Sequence, residues 1–139
     1  MYKFLKGELD KLGLPRKNIR CEMLGVTKKI ADAAGFPAEA RGREFNITVR
    51  QGANEYQIKA LAEEPILVAV ERAGITAPSR CRSGECGWCR SKVISGTYFA
   101  PAENENRRWA DVKWNYIHPC ASFPTSDMII EVPAEYIPG

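Results

Sequence analysis

The stretch Cys81-Arg82-Ser83-Gly84-Glu85-Cys86-Gly87-Trp88-Cys89 sets three thiols at C-x4-C-x2-C spacing, with a fourth, Cys120, far downstream. Thiols this close on one segment act together only if the backbone wraps tightly around a shared centre. Gly84 and Gly87 permit that, because a residue without Cβ takes positive φ and lets the main chain approach a ligand closely. The amide N–H groups of such a loop turn inward, where they stabilise negative charge. A distant thiol on another segment then closes the site. This is the spacing that holds a 2Fe–2S cluster, one per chain, with Cys81, Cys86, Cys89 and Cys120 as its metal ligands. Arg82, Gly84, Glu85, Gly87 and Trp88 lie between the ligands and are expected to line the cofactor.

Other metal chemistries fit less well. Structural zinc sites usually present their ligands in short-spaced pairs, and Cys120 stands alone. A zinc-stabilised interaction module therefore stays as an alternative. A Rieske centre needs two histidines, and the chain has one, His118. The fifth cysteine, Cys21, lies outside the constellation and reads as a buried free thiol. An odd cysteine count argues against a disulfide framework.

Working outward, Phe45, Ile47 and Val49 alternate with Asn46, Thr48 and Arg50, which predicts a strand with one buried face. Gln51-Gly52-Ala53-Asn54 is a turn, and residues 56–60 are the returning strand. Pro65 marks a helix start, residues 66–73 continue it, and Gly74 supplies a left-handed C-terminal cap with Ile75 packing back. Residues 91–94 and 127–132 read as two more strands. The order predicts an α+β fold, a mixed sheet covered on one face by a helix. Upstream, Tyr2, Leu5, Leu9 and Leu12 share one face of a helix over 1–13, and residues 19–24 alternate as a short strand. The predicted division is thus a helix–strand segment over 1–24, a linker over 25–44 with one helical turn near 28–34, and the cluster domain over 45–139.

Length and composition set outer limits. A chain of 139 residues with 45% apolar content is one globular domain with an appendage. Lys and Arg number 20 against 17 Asp and Glu, a net charge of +3 too mild for nucleic acid. The longest apolar run, 66–70, is far short of the roughly 18 residues a membrane span needs. The start, Met1-Tyr2-Lys3-Phe4-Leu5-Lys6-Gly7-Glu8, carries no apolar signal stretch, so a cytoplasmic location is the default. No G-x-G-x-x-G or Walker loop is present, nor any hydrolytic signature, so no catalytic residue is expected and the chain reads as an electron carrier.

The segment from Ala73-Gly74-Ile75 through Ser79 to Cys89, together with Pro119-Cys120-Ala121-Ser122-Phe123-Pro124-Thr125-Ser126-Asp127, resembles plant-type ferredoxins over residues 45–132. The resemblance implies a β-grasp fold and one-electron transfer. It further implies that Cys81 and Cys86 hold the iron nearer the surface, and Cys89 and Cys120 the inner one. Met1-Tyr2-Lys3-Phe4-Leu5, Leu12-Gly13-Leu14-Pro15 and Ile19-Arg20-Cys21-Glu22 are similar to the end of the nicotinamide-binding domain of ferredoxin-reductase-like flavoproteins. Some of these, of the phthalate-dioxygenase-reductase kind, carry a C-terminal ferredoxin domain. The two resemblances together imply an electron-transfer domain fed by a flavin reductase domain, in the same or a separate chain. It would serve a redox protein such as an oxygenase or a demethylase. The full-length parent would be an NAD(P)H-dependent oxidoreductase; a free-standing ferredoxin is the alternative.

Arg80, Arg82, Arg90 and Lys92 against Glu85 form a locally basic rim, read either as matching an acidic docking face or as a solvated balance to the cluster charge. Trp109, Trp114 and Tyr116 are expected to pack as core or lid.

Overall fold

The computed structural model describes residues 2–13, 26 and 29–134. The helix α1 (Tyr2–Lys11) forms where its apolar spacing placed it, while the strand expected over 19–24 lies outside the described residues. Further on, the predicted alternation builds β1 (Glu44–Gln51), which buries Phe45, Ile47 and Val49 and turns Asn46 and Arg50 outward. Gly52, at φ +59°, lets the chain reverse within two residues. The return strand β2 (Asn54–Leu61) pairs antiparallel, with Ile47 opposite Ile58 and Phe45 opposite Ala60.

Pro65 precedes α2 (Ile66–Arg72), which buries Ile66, Leu67, Ala69 and Val70. The helix stops as its sequence predicts. Gly74 sits at φ +78°, its N–H donates to the Glu71 carbonyl, and the N–H of buried Ile75 reaches back to the Val70 carbonyl. The later strands are β3 (Ser91–Ser95) and β7 (Met128–Glu131), both expected. Between them lie β4 (Tyr98–Phe99), α3 (Trp109–Lys113), β5 (Tyr116–Ile117) and β6 (Phe123–Pro124). These four are too short for a period to register in the sequence.

The main sheet runs β2-β1-β7-β3-β5, and β4 pairs with β6 in a separate ribbon. β1 and β7 are parallel, whereas the other pairs in the main sheet are antiparallel. The helix α2 covers one face, where Ile66, Ala69 and Val70 pack with Ile47, Val49 and Ile130. This is the mixed sheet with a covering helix that the element order implied, in the β-grasp layout that the ferredoxin resemblance implied.

Ahead of β1, two 3-10 turns occupy Ile30–Asp32 and Ala38–Ala40. Ile30, Phe36 and Ala40 are buried there against Phe45, Ala62 and Phe123, forming a second core beside the sheet.

Ile47 lies in the strand that bridges β2 and β7, and it is fully buried. Ile47→Ala should lower unfolding free energy by about 2–5 kcal/mol, through lost burial and a residual cavity. Leu61→Ala, at an exposed position, should stay within about 0.5 kcal/mol of wild type. Urea unfolding of the two variants checks this pair.

Candidate metal centre

The loop between α2 and β3 carries Cys81, Cys86 and Cys89, and a 3-10 turn at Pro119–Ala121 carries Cys120. The second segment is tied to α2, the helix that leads into the loop, by a backbone bond. The N–H of Ile66, at the start of α2, donates to the Ser122 carbonyl at 2.9 Å. Leu67, Cys89, Cys120 and Ala121 then pack as one buried group.

Within the loop, the N–H groups of Ser83 and Cys86 both approach Cys81 Sγ at 3.4 Å, and the Trp88 N–H approaches Cys86 Sγ at 3.4 Å. The wrapping depends on left-handed backbone, at Gly84 (φ +84°), Gly87 (φ +69°) and, less comfortably, Arg82 (φ +56°). A Cβ on Gly84 would lie 2.5 Å from the Asn104 carbonyl oxygen and 2.9 Å from Ala121 Cβ. Cys86 is exposed and Cys81 partly so, whereas Cys89 and Cys120 are buried.

The electrostatics of the thiols favour bound cations. Partial burial pushes the Cys81 thiol up, but hydrogen bonds from Ser83 and Cys86 outweigh it and hold the pKa at about 6. Cys89 Sγ and Cys120 Sγ are 3.5 Å apart in a buried setting. The Cys89 sulfur and burial together drive the Cys120 thiol far up. Two thiolates so close need positive charge between them, and their separation is near the ~3.8 Å edge of a tetrahedron with ~2.3 Å metal–sulfur bonds. Among the described residues no three His, Cys, Asp or Glu side chains gather around one point, as a lone ion would need. Inward amides, a buried thiol pair and thiols spread along a wrapped loop fit a two-iron cluster, with these four cysteines able to hold it.

Three polar side chains outside the loop brace it. Asn104 Nδ2 donates to the Ser83 carbonyl at 2.9 Å, and His118 Nδ1 lies 2.7 Å from the Gly84 carbonyl oxygen. Asp111 is buried and receives Arg90 at 3.0 Å and Arg108 at 3.3 Å. None of the three was singled out as a site residue from the sequence. His118 carried one signal, its place two residues before Cys120; Asn104 and Asp111 carried none.

Two of the four rim cations are committed to acids within the chain. Arg82 pairs with Glu71 of α2, Arg90 pairs with Asp111 and stacks on Tyr116, Arg80 stacks on Trp88, and Lys92 faces Glu131 across the β3–β7 pair. Glu71 and Asp111, the acids that answer Arg82 and Arg90, come from other segments, so the local count overstated the rim's free charge. The expectation for the tryptophans is corrected as well. Trp109 and Trp114 are 74% and 62% exposed, with Lys113 Nζ 4.6 Å and 5.5 Å from their ring centroids. The reason is that α3 is anchored by its acid, Asp111, which turns Trp109 and Val112 to solvent. Tyr116 is half-buried beneath Arg90.

Fold and thiol geometry together define a β-grasp iron–sulfur domain. The profile of the 2Fe-2S iron-sulfur cluster binding domain matches residues 49–125. The chain belongs to that family and is a 2Fe–2S electron-transfer domain. It is 30% identical over 108 residues to the NADH oxidoreductase HCR of Escherichia coli, covering 77% of this chain and 33% of that protein. It is also 30% identical over 130 residues to one component of the 1,2-phenylacetyl-CoA epoxidase of the same organism, covering 91% of this chain and 35% of that one. The chain thus spans about a third of the length of these relatives. The structure of phthalate dioxygenase reductase superimposes over 95% of this chain and 38% of that one, with a TM-score of 0.61 at 23% identity, which supports the fold. No helix among the described residues is long and apolar enough to cross a membrane.

Gly84→Ala should abolish cluster uptake, because both φ and the Asn104 backbone forbid the added methyl. Gly87→Ala, whose Cβ would meet the His118 ring at 3.3 Å, should retain part of it. Iron and sulfide content after reconstitution measures both.

Burial opposes ionisation of Asp111, yet its bonds from Arg90 and Arg108 hold its carboxyl below the ordinary value of 3.8. Between the folded and unfolded pKa values the unfolded chain binds more protons, so this stabilisation is present above pH 3.8 and is lost as pH falls through the lower, folded value. Asp111→Asn should flatten that part of the acid limb of the stability curve in urea titrations, besides weakening the hold on α3.

Proposed function

We propose that this chain is the C-terminal ferredoxin domain of an NAD(P)H-dependent flavin reductase. It takes single electrons from a flavin domain and hands them to a redox protein such as an oxygenase or a demethylase, in the cytoplasm. The observation that carries this reading is the reach of the likeness. The 130 residues aligned with the epoxidase component outnumber those that 45–139 can supply, so the similarity extends into the segment before the cluster domain. The division into 1–24, 25–44 and 45–139 belongs to the same reading, with the first segment closing a nicotinamide-binding domain.

Cys81, Cys86, Cys89 and Cys120 are the residues that would hold the cluster, which when bound accepts and releases one electron. The exposure of Cys86 against the burial of Cys89 and Cys120 supports an outer iron on Cys81 and Cys86 and an inner one on the buried pair. Amides of Ser83, Cys86 and Trp88 offset thiolate charge at the outer end. A cleft of about 470 Å³ beside Cys86, bordered by Trp88, Arg90, Lys92 and Arg108, is where a partner's cofactor comes within short range.

Anaerobic reconstitution with iron and sulfide tests the reading. Wild type and Cys21→Ala should develop visible bands bleached by dithionite, while Cys120→Ala should not. A fully loaded Cys120→Ala protein would overturn the ligand set. Reduction of the loaded chain by NADH through a flavin reductase domain lacking its own iron–sulfur domain supports the donor assignment. No reduction there would favour the free-standing carrier instead.

A further inference from the structure

Two carbonyls of the cysteine loop are held by buried side chains from elsewhere in the chain. Asn104, 3% exposed, takes the Ser83 carbonyl, and His118, 4% exposed, takes the Gly84 carbonyl. A carbonyl only accepts, so His118 presents Nδ1–H to it, leaving Nε2 buried without a hydrogen-bond partner, 3.9 Å from Asp111 Oδ2. In a trans peptide the C=O and the N–H of the same unit point in opposite directions. Fixing the Ser83 carbonyl on Asn104 therefore turns the Gly84 N–H the other way, and fixing the Gly84 carbonyl on His118 turns the Glu85 N–H away from the imidazole.

The space around this turn is closed. A Cβ on Gly84 would strike the Asn104 carbonyl oxygen at 2.5 Å and Ala121 Cβ at 2.9 Å. Ala121 follows Cys120 directly, so the Gly84 turn sits against both Asn104 and the segment that bears the fourth cysteine.

We propose that Asn104 and His118 are positioning residues for the cluster, orienting the Gly84 and Glu85 peptides so that their N–H dipoles set how readily the bound centre accepts an electron. This rests on the cluster being held by Cys81, Cys86, Cys89 and Cys120. Neither residue is among those four ligands; each acts through a peptide plane. An N–H aimed at sulfur stabilises the more negative, reduced state, so releasing a peptide makes reduction harder. A role in packing alone would lower stability and leave the potential where it was.

The test compares the reconstituted full chain with Asn104→Leu, His118→Leu and His118→Asn. Midpoint potential is read by EPR-monitored titration, and N–H···S bonding by the D₂O-induced shift of Fe–S stretching bands in resonance Raman spectra. Both Leu variants should move to more negative potential with a smaller D₂O shift. His118→Asn keeps an N–H near the δ position and should return both readings toward wild type. If Asn104→Leu takes up no cluster, Asn104→Ser, too short to reach the Ser83 carbonyl, gives the same comparison. Wild-type potential and D₂O shift in the donor-lacking variants, with only unfolding changed, would overturn the proposal while leaving the cluster assignment intact. A wild-type chain that forms no 2Fe–2S spectrum would remove both.

Discussion

The bond from the Ile66 N–H to the Ser122 carbonyl is the join on which the site depends. The first N–H groups of any helix lack partners within it. Here one of them is spent on the segment bearing Cys120. That bond, with Leu67 packed against Cys120 and Ala121, ties the fourth cysteine to α2, and α2 in turn covers the sheet through Ile66, Ala69 and Val70. The loop bearing the other three thiols begins only a few residues after α2 ends. Both halves of the centre are therefore referenced to one short helix, and Leu67 fills the space between that helix and the buried pair Cys89 and Cys120.

Much of this was legible in the chain itself. The alternation at 45–50, the Gly52 turn, Pro65 and Gly74 each state a local rule strongly enough to fix β1, β2 and both ends of α2. The thiol spacing states the chemistry. What stayed hidden has a common cause, namely side chains whose meaning depends on a partner distant in sequence. Asn104 looks like any loop residue until Ser83 is seen beside it. Asp111 looks like one more acid on a surface helix, yet it is the buried residue of α3, and its burial is what leaves Trp109 exposed. The basic rim read as excess charge because Glu71 and Asp111, the partners of Arg82 and Arg90, are invisible to a local count.

The site also divides its strain unevenly. Gly84 and Gly87 adopt left-handed backbone at little cost, whereas Arg82 does so with a Cβ in place. Its guanidinium is at the same time held by Glu71 on α2. The strained residue is thus anchored to the same helix that receives the Cys120 segment, so the loop's least favourable conformation is kept where the framework is firmest.

The outer strand β2 has a bearing on the life of the chain before it meets metal. Among the described residues it pairs on one side only, and the far side of the main sheet ends in β5, just two residues long. Along β2, Glu55 and Lys59 are joined to Arg50 and Glu44 of β1 at 3.0 Å each. Charged side chains on an open border discourage a second copy from adding its own strand there. Newly made protein whose cysteine loop is still empty is then guarded against stacking into aggregates by its margins, independently of the iron it awaits.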